Sequence, residues 1–469
     1  MKIMKMRFTG ILFIFTVVLA GGCVRDDELH QISQVSQTCL PKNVIIFIAD
    51  GAGFNHFIAA DYYECNRTPC QPYEQFPVRL AMSTYSVGGS YDANAAWHSF
   101  DYVKHNPTDS AAAATAMATG VKSYNAAIGV DIRRKPVLNL LERAEQMGKS
   151  TGVVTSVPFS HATPAGFVVH NKSRNNYKQI ADEMLNESAA DVIMGSGNPL
   201  YNDDGKPKLL PDYKYISPKD WADLSAGLSG GDADGDGLPD RWTLIQTRAK
   251  FQALASGPAP KRVCGIPQVF ETLQQKRSGN TKARPYEIAM AQTVPTLEEM
   301  TRAALNVLDN NPDGFFVMIE GGAVDWAGHS NQSGRLIEEM NDFNRSVEVV
   351  AKWVIQNSSW NETLVIITSD HETGYLTGPG SGRPLLSDKA VWNDLAGNGI
   401  GKLPDMEWHS GAHTNSLVPF FAKGQGAEQF KKTIKGNDSV RGPYIDNTDI
   451  AGVILDMSSS GGSELKKGP

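Results

Sequence analysis

Long hydrophobic runs are scarce in this 469-residue chain. The one apolar stretch that stands out, residues 8–20, falls short of the ~20 residues a membrane-spanning helix needs. Charge of one sign is not in excess either: 44 Lys and Arg against 51 Asp and Glu leave a net −7, which argues against a nucleic-acid or anionic-membrane surface. There are only five cysteines, none in C-x-x-C spacing, so no zinc ribbon or thiolate cluster is encoded. No 20–50-residue repeat is present, which excludes solenoids and propellers. A composition of 41% apolar and 20% charged residues excludes disorder and coiled coil and leaves a large globular core. The length allows about three domains, or one long α/β domain with insertions.

The N-terminus has the layout of an export signal. Lys2, Lys5 and Arg7 precede the short apolar run, and Gly21, Gly22 and Cys23 follow it. The ending Leu19-Ala20-Gly21-Gly22-Cys23 resembles a bacterial lipobox in which Cys23 is lipidated, with Ala20 where Leu is commoner. A lipoprotein signal over 1–22 and a plain cleaved signal both fit. Export makes disulfides admissible. Cys65 and Cys70 enclose a short loop and form the natural pair, which leaves Cys39 and Cys264 for a second; free buried thiols are the alternative. The tail, 458–469, reads as a flexible polar segment.

Short runs rich in Val, Ile and Phe at 44–49, 152–156, 192–195, 315–320 and 364–368 predict strands buried on both faces, with another at 417–422. Helical patterns at 137–147, 297–308 and 333–355 lie between them. This alternation predicts an α/β fold: a three-layer sandwich around a mostly parallel central sheet. Two stretches interrupt it. Residues 198–290, dense in Pro, Gly, Asp and Lys, read as an insertion, and 375–410 as a long Gly-rich loop.

Carboxylates and imidazoles cluster where these strands end, the usual place for sites in open α/β sheets. Asp50 follows the first strand. Glu320, Asp325 and His329 follow the fourth, and Asp325 and His329, four apart, share one face of a helical turn. Asp370 and His371 follow the fifth, and His413 precedes the last. Asp and His together suit Zn²⁺, and carboxylates with a hydroxyl suit Mg²⁺. Taken singly, Asp50 reads equally as a helix cap and His413 as a loop histidine. Asp109-Ser110 precedes an Ala-rich run of high helix propensity, so Ser110 sits at a helix N-terminus. Ser110 is there either as part of a cap or as a nucleophile placed where backbone N–H groups favour an anion.

With these residues in place the chain resembles the alkaline phosphatases from about 42 to 456, and a domain over 40–457 is expected. The block Asp109-Ser110-Ala111 through Thr115-Ala116 is similar to the family's phosphorylated-serine block. The resemblance implies a phosphomonoester hydrolase acting through a covalent phosphoserine at Ser110, with two Zn²⁺ and one Mg²⁺. It implies Asp325, His329 and His413 for one zinc, and Asp370, His371 and Ser110 for the other. Asp50 would bridge that zinc and the magnesium, with Thr163 and Glu320 completing the magnesium set. Arg174 would clamp phosphate, oriented by Asp109. His161 and Trp326 stand where the enteric branch has Asp and Lys, a pair that resembles some marine bacterial members and leaves the third metal open between Mg²⁺ and Zn²⁺. The resemblance also implies small phosphomonoester substrates and a homodimer; the net charge implies no nucleic-acid partner, and the export signal places the protein facing the periplasm or the exterior. A sulfatase is disfavoured because no C/S-x-P-x-R block occurs. A related diesterase is disfavoured by Ser110 and Arg174, and a non-catalytic binding lipoprotein by the completeness of the set.

One further motif lies in the 198–290 stretch. Asp232, Asp234, Asp236 and Asp240 resemble a D-x-D-x-D-G calcium loop, although position 12 is Thr243 rather than Glu. A structural Ca²⁺ is the expectation, against an ordinary acidic loop.

Overall fold

The computed structural model describes residues 40–233, 237–383 and 389–460, leaving the side chains of 459 and 460 aside. The export segment with Cys23, Cys39, the calcium-loop residues Asp234 and Asp236, and the tail from 461 lie outside these residues. The described residues belong to one compact unit. No helix among the described residues is long and apolar enough to cross a membrane.

The framework is an eleven-stranded sheet. Its strands β1 to β8 are Asn43–Ile48, Val78–Ser83, Ser150–Pro158, Val192–Ser196, Thr243–Ile245, Val263–Gly265, Phe315–Glu320 and Thr363–Thr368. The remaining three are Val418–Gly424, Gly436–Asp438 and Gly442–Asp446. Across the sheet the order is Gly436–Asp438, Gly442–Asp446, β2, Val418–Gly424, β8, β1, β7, β3, β4, β6, β5. From β8 through β5 all pairings are parallel. Val418–Gly424 runs antiparallel to both β2 and β8. This is the expected α/β sandwich with a mostly parallel sheet. The strand Val78–Ser83 carries no continuous apolar run, because Arg79 interrupts it, and sequence patterning passes over it.

The period-two geometry of a strand divides the core in two. Val44, Ile46 and Ile48 face one apolar cluster, and Ile45 and Phe47 the other. A strand covered on both faces must be apolar throughout, which is why Val44 to Ile48 reads as an unbroken run. Helices Leu297–Leu308 and Ser333–Asn357 cover the second face. Against the first lies Ser110–Thr119, all ten of whose residues are buried. Its alanines let it pack closely, and a Cβ on Gly166 of the neighbouring helix would stand 2.8 Å from the Ala114 methyl.

The stretch from 198 to 290 is more than an excursion from the fold. It supplies β5 and β6, which extend the sheet edge beyond β4, and helices Pro218–Ser225 and Arg248–Leu254. These elements are too short to announce themselves by periodicity. Cys65 and Cys70 are disulfide-bonded, as expected. Cys264 is a buried free thiol on β6.

Candidate active site

Parallel register brings the site together. Ile48 of β1 sits opposite Glu320 on β7 and Thr368 on β8, so the three strands end level with one another. Asp50, Glu320 and Asp370 therefore emerge side by side, all fully buried. The turn after β1 depends on Gly51. Its φ is +74°, and a Cβ there would lie 2.7 Å from Thr373 Oγ1 and 2.8 Å from Asp325 Cα.

Two groups of side chains converge at these ends: Asp325, His329 and His413, and Asp50, Asp370 and His371. Their hydrogen bonds fix the imidazole tautomers. His329 Nδ1 lies 2.8 Å from the Gly411 carbonyl and His413 Nδ1 2.9 Å from that of Thr108. A ring nitrogen facing a carbonyl must carry the hydrogen, so Nε2 of each ring is the atom left to take up a proton or a cation. These two Nε2 atoms are 3.0 Å apart, and each is 3.4 Å from Asp325 Oδ1. Thr373 Oγ1 donates to Asp325 Oδ1 at 2.6 Å and so accepts from His371 Nδ1 at 3.2 Å. His371 Nε2 is thereby turned toward Asp370 Oδ2 at 3.3 Å, Asp50 Oδ1 at 3.6 Å and Ser110 Oγ at 3.2 Å.

The charge left over points to cations. Both Asp50 oxygens, Asp370 Oδ2, Glu320 Oε1 and Thr163 Oγ1 are buried without a hydrogen-bond partner. Burial, followed by repulsion from Asp370, Asp325 and Glu320, holds the Asp50 carboxyl well above its ordinary range. Burial lifts Glu320 to about 7 and Asp370 to about 6. Burial works against a charge on His413, but Asp325 outweighs it and raises the ring to about 9. Unpaired buried carboxylates and two ring nitrogens crowded to 3.0 Å are costly. Divalent ions relieve both, and the donor set, O and N with no thiolate, fits Zn²⁺ and Mg²⁺.

Beside these groups Ser110 opens its helix with Asp109 at the N-cap. Asp109 Oδ1 accepts from Ala112 N at 3.0 Å, and its Oδ2 accepts from Ala126 N at 2.9 Å and from Arg174 Nη1 at 3.1 Å. The cap is therefore realised, and the same carboxylate that closes the helix also holds the arginine. Arg174 Nη2 lies 3.3 Å from His161 Nε2. Burial and the Arg174 charge push His161 down to about 3, so the ring is neutral. His161 meets Trp326 edge to face at 5.8 Å. Ser110, His161, Arg174, Asp325, Trp326, His329 and His413 line one open cavity of about 410 Å³, together with Lys276 and Ser330.

Three contributors escape the sequence reading. Thr373 couples Asp325 to His371, Thr155 hydroxyl bonds Glu320, and Lys276 reaches the cavity from the 198–290 stretch. Only proximity to Asp370-His371 could have flagged Thr373. Away from the cavity, Asp232 Oδ2 accepts from Gly237 N at 2.9 Å, while Asp240 Oδ1 is paired to Lys261 at 2.6 Å. Part of the expected calcium ligand charge is thus already met by lysine.

Carboxylate–imidazole groups at the ends of a parallel sheet, beside a buried serine at a helix N-terminus, define an α/β metal-dependent hydrolase. Comparison with known proteins makes this particular. The alkaline phosphatase family model matches residues 41–395. Alkaline phosphatase 4 of Bacillus subtilis is 30% identical over 95% of each chain. Alkaline phosphatase H of Pseudomonas aeruginosa is 30% identical over 87% of this chain and 86% of that one. The solved structure of the alkaline phosphatase from the Antarctic bacterium TAB5 has 27% identity and a TM-score of 0.61, covering 90% of this chain and 99% of that one. The chain belongs to the alkaline phosphatase family, whose members are phosphomonoester hydrolases.

Proposed function

We propose that this protein hydrolyses phosphate monoesters in two steps through a phosphoserine on Ser110. The observation that carries this reading is Ser110 itself: it lies at a helix N-terminus, 3.2 Å from His371 Nε2, in a cavity shared with Arg174 and with Asp325, His329 and His413. Zn²⁺ held by Asp325, His329 and His413, Zn²⁺ held by Asp50, Asp370, His371 and Ser110, and Mg²⁺ held by Asp50, Thr163 and Glu320 would supply Lewis-acid polarisation and a lowered pKa for bound oxygen.

The chain's own residues do the rest. The Ser110 oxygen attacks phosphorus as its proton passes to water, the bond to the alcohol oxygen breaks, and that oxygen takes a proton from water to leave as the alcohol. Water then cleaves the phosphoserine and returns the hydroxyl. Arg174 grips two non-bridging oxygens with its planar fork, and Asp109 keeps that fork aimed at the Ser110 end. Charge on the transferring group is spread over its oxygens, so fixed donors around it contribute most of the rate. His161, neutral against Arg174, adds no competing charge. In a TAB5 variant with histidine replaced by aspartate, magnesium is bound in the M3 site. His161 is the position through which this chain would tune its own third metal.

Ser110→Ala is expected to lower p-nitrophenyl phosphate hydrolysis by roughly a thousandfold or more. It should also abolish the phosphopeptide seen by mass spectrometry after acid quench. A phosphoserine still forming in that helix would overturn the assignment. The reading extends to export, to a lipid on Cys23 and to a homodimer, tested by mass spectrometry of the mature N-terminus and by sedimentation.

A further inference from the structure

Among the described residues that line the active-site cavity, Lys276 is the one contributed by the 198–290 stretch. Its backbone is firmly held. Lys276 N donates to Thr272 Oγ1 at 2.7 Å, and the preceding Gln275 Nε2 donates to Gln332 Oε1 at 2.9 Å. The following Arg277 is buried, with its guanidinium 2.8 Å from Glu338 and bonded to the carbonyls of Ile288 and Ala289. Leu273 N donates to Ser156 O at the end of β3 at 3.0 Å, tying the segment to the sheet. The lysine is thus carried on a rigid support.

Its side chain is half exposed, whereas Ser110 is 1% exposed. The cavity therefore runs from a buried nucleophile to a rim with Lys276, and the ammonium stands 5.3 Å from the Trp326 ring centroid. Its carboxylate neighbour, Glu271, accepts from Lys214 and from Tyr215 OH through Oε1, each at 2.8 Å, and its other oxygen, Oε2, lies 3.4 Å from Lys276. A phosphoryl group seated between Ser110 and Arg174 would direct its alcohol portion outward toward this rim.

We infer that Lys276 is a specificity residue that favours phosphomonoesters whose alcohol portion carries a second negative charge. The inference rests on the Ser110 reading. An ammonium held by Glu271 Oε2 through a single contact as long as 3.4 Å can turn to an incoming carboxylate or phosphate.

The test compares phenyl phosphate with 4-carboxyphenyl phosphate in metal-saturated protein. Lys276→Met is expected to lower kcat/KM for the carboxylated ester about five- to tenfold and for phenyl phosphate less than about twofold. Lys276→Arg should restore most of the difference, and raised salt should shrink the preference of the unmodified protein. Equal losses on both esters, or no loss on either, would overturn the inference. Ser110→Ala run alongside separates the two readings. If it is inactive while Lys276→Met shows no selective loss, only the lysine's role fails. If it hydrolyses both esters at the unmodified rate, the Ser110 reading falls and this inference with it.

Discussion

Charge is buried in two ways in this molecule. At the strand ends Asp50, Glu320, Asp370 and Thr163 keep oxygens without partners. On the far sheet edge, Arg262 is equally buried, at 1% exposure, yet its guanidinium is satisfied. Its Nε, Nη1 and Nη2 donate to the carbonyls of Ala190, Asp240 and Ser188 at 2.9, 3.0 and 2.9 Å, and it stacks on Trp242 at 3.9 Å. The first region leaves buried charge that an outside cation would meet; the second is complete and serves to hold β6 and its surroundings. Burial of charge therefore marks function only where the polar atoms remain unmatched.

Metal removal should break this comparison most sharply. Exhaustive chelation is expected to lower phosphomonoesterase activity by roughly a thousandfold and to reduce thermal stability, because ions that bind only the folded state stabilise it. Activity and melting temperature measured together check this, and an unchanged value of both would show that the unmatched carboxylates need no ion. Arg262→Met tests the other side. It should cost about 3 kcal/mol in denaturant unfolding, since three buried carbonyls lose their donor, while specific activity per folded molecule stays within about twofold. An activity loss that exceeds the loss of folded protein would mean that the edge and the site are coupled. The smallest effect is expected from Thr373→Val, which removes the hydroxyl shared by Asp325 and His371. Zinc affinity should fall about 10–100-fold with the fold retained, read by competition with a chromophoric chelator.

The central sheet was legible because strands covered on both faces cannot alternate with polar residues. Residues 315–320 and helix 297–308 match their expected limits. Val78–Ser83 was not legible, because a strand near the sheet margin tolerates an exposed Arg79. The edge strands Thr243–Ile245 and Val263–Gly265, three residues each, were hidden for a different reason: their pairing comes from neighbours rather than from any local pattern. In the site, Asp50, Asp370 and His371 were visible because chemistry-bearing residues follow strand ends. Thr373 and Lys276 carry no such mark. Their roles depend on where a hydroxyl and an ammonium land in space.

The sequence by itself determined the buried parallel core, the serine at a helix start and the types of ligand available, since each is written in local spacing and residue chemistry. Only the tertiary structure decided which imidazole nitrogen faces inward, which carboxylate oxygens go unpartnered and which lysine enters the cavity. Those outcomes depend on distances of a few ångströms between residues far apart in the chain, such as the 305 positions separating Thr108 from His413. No local pattern encodes such a separation.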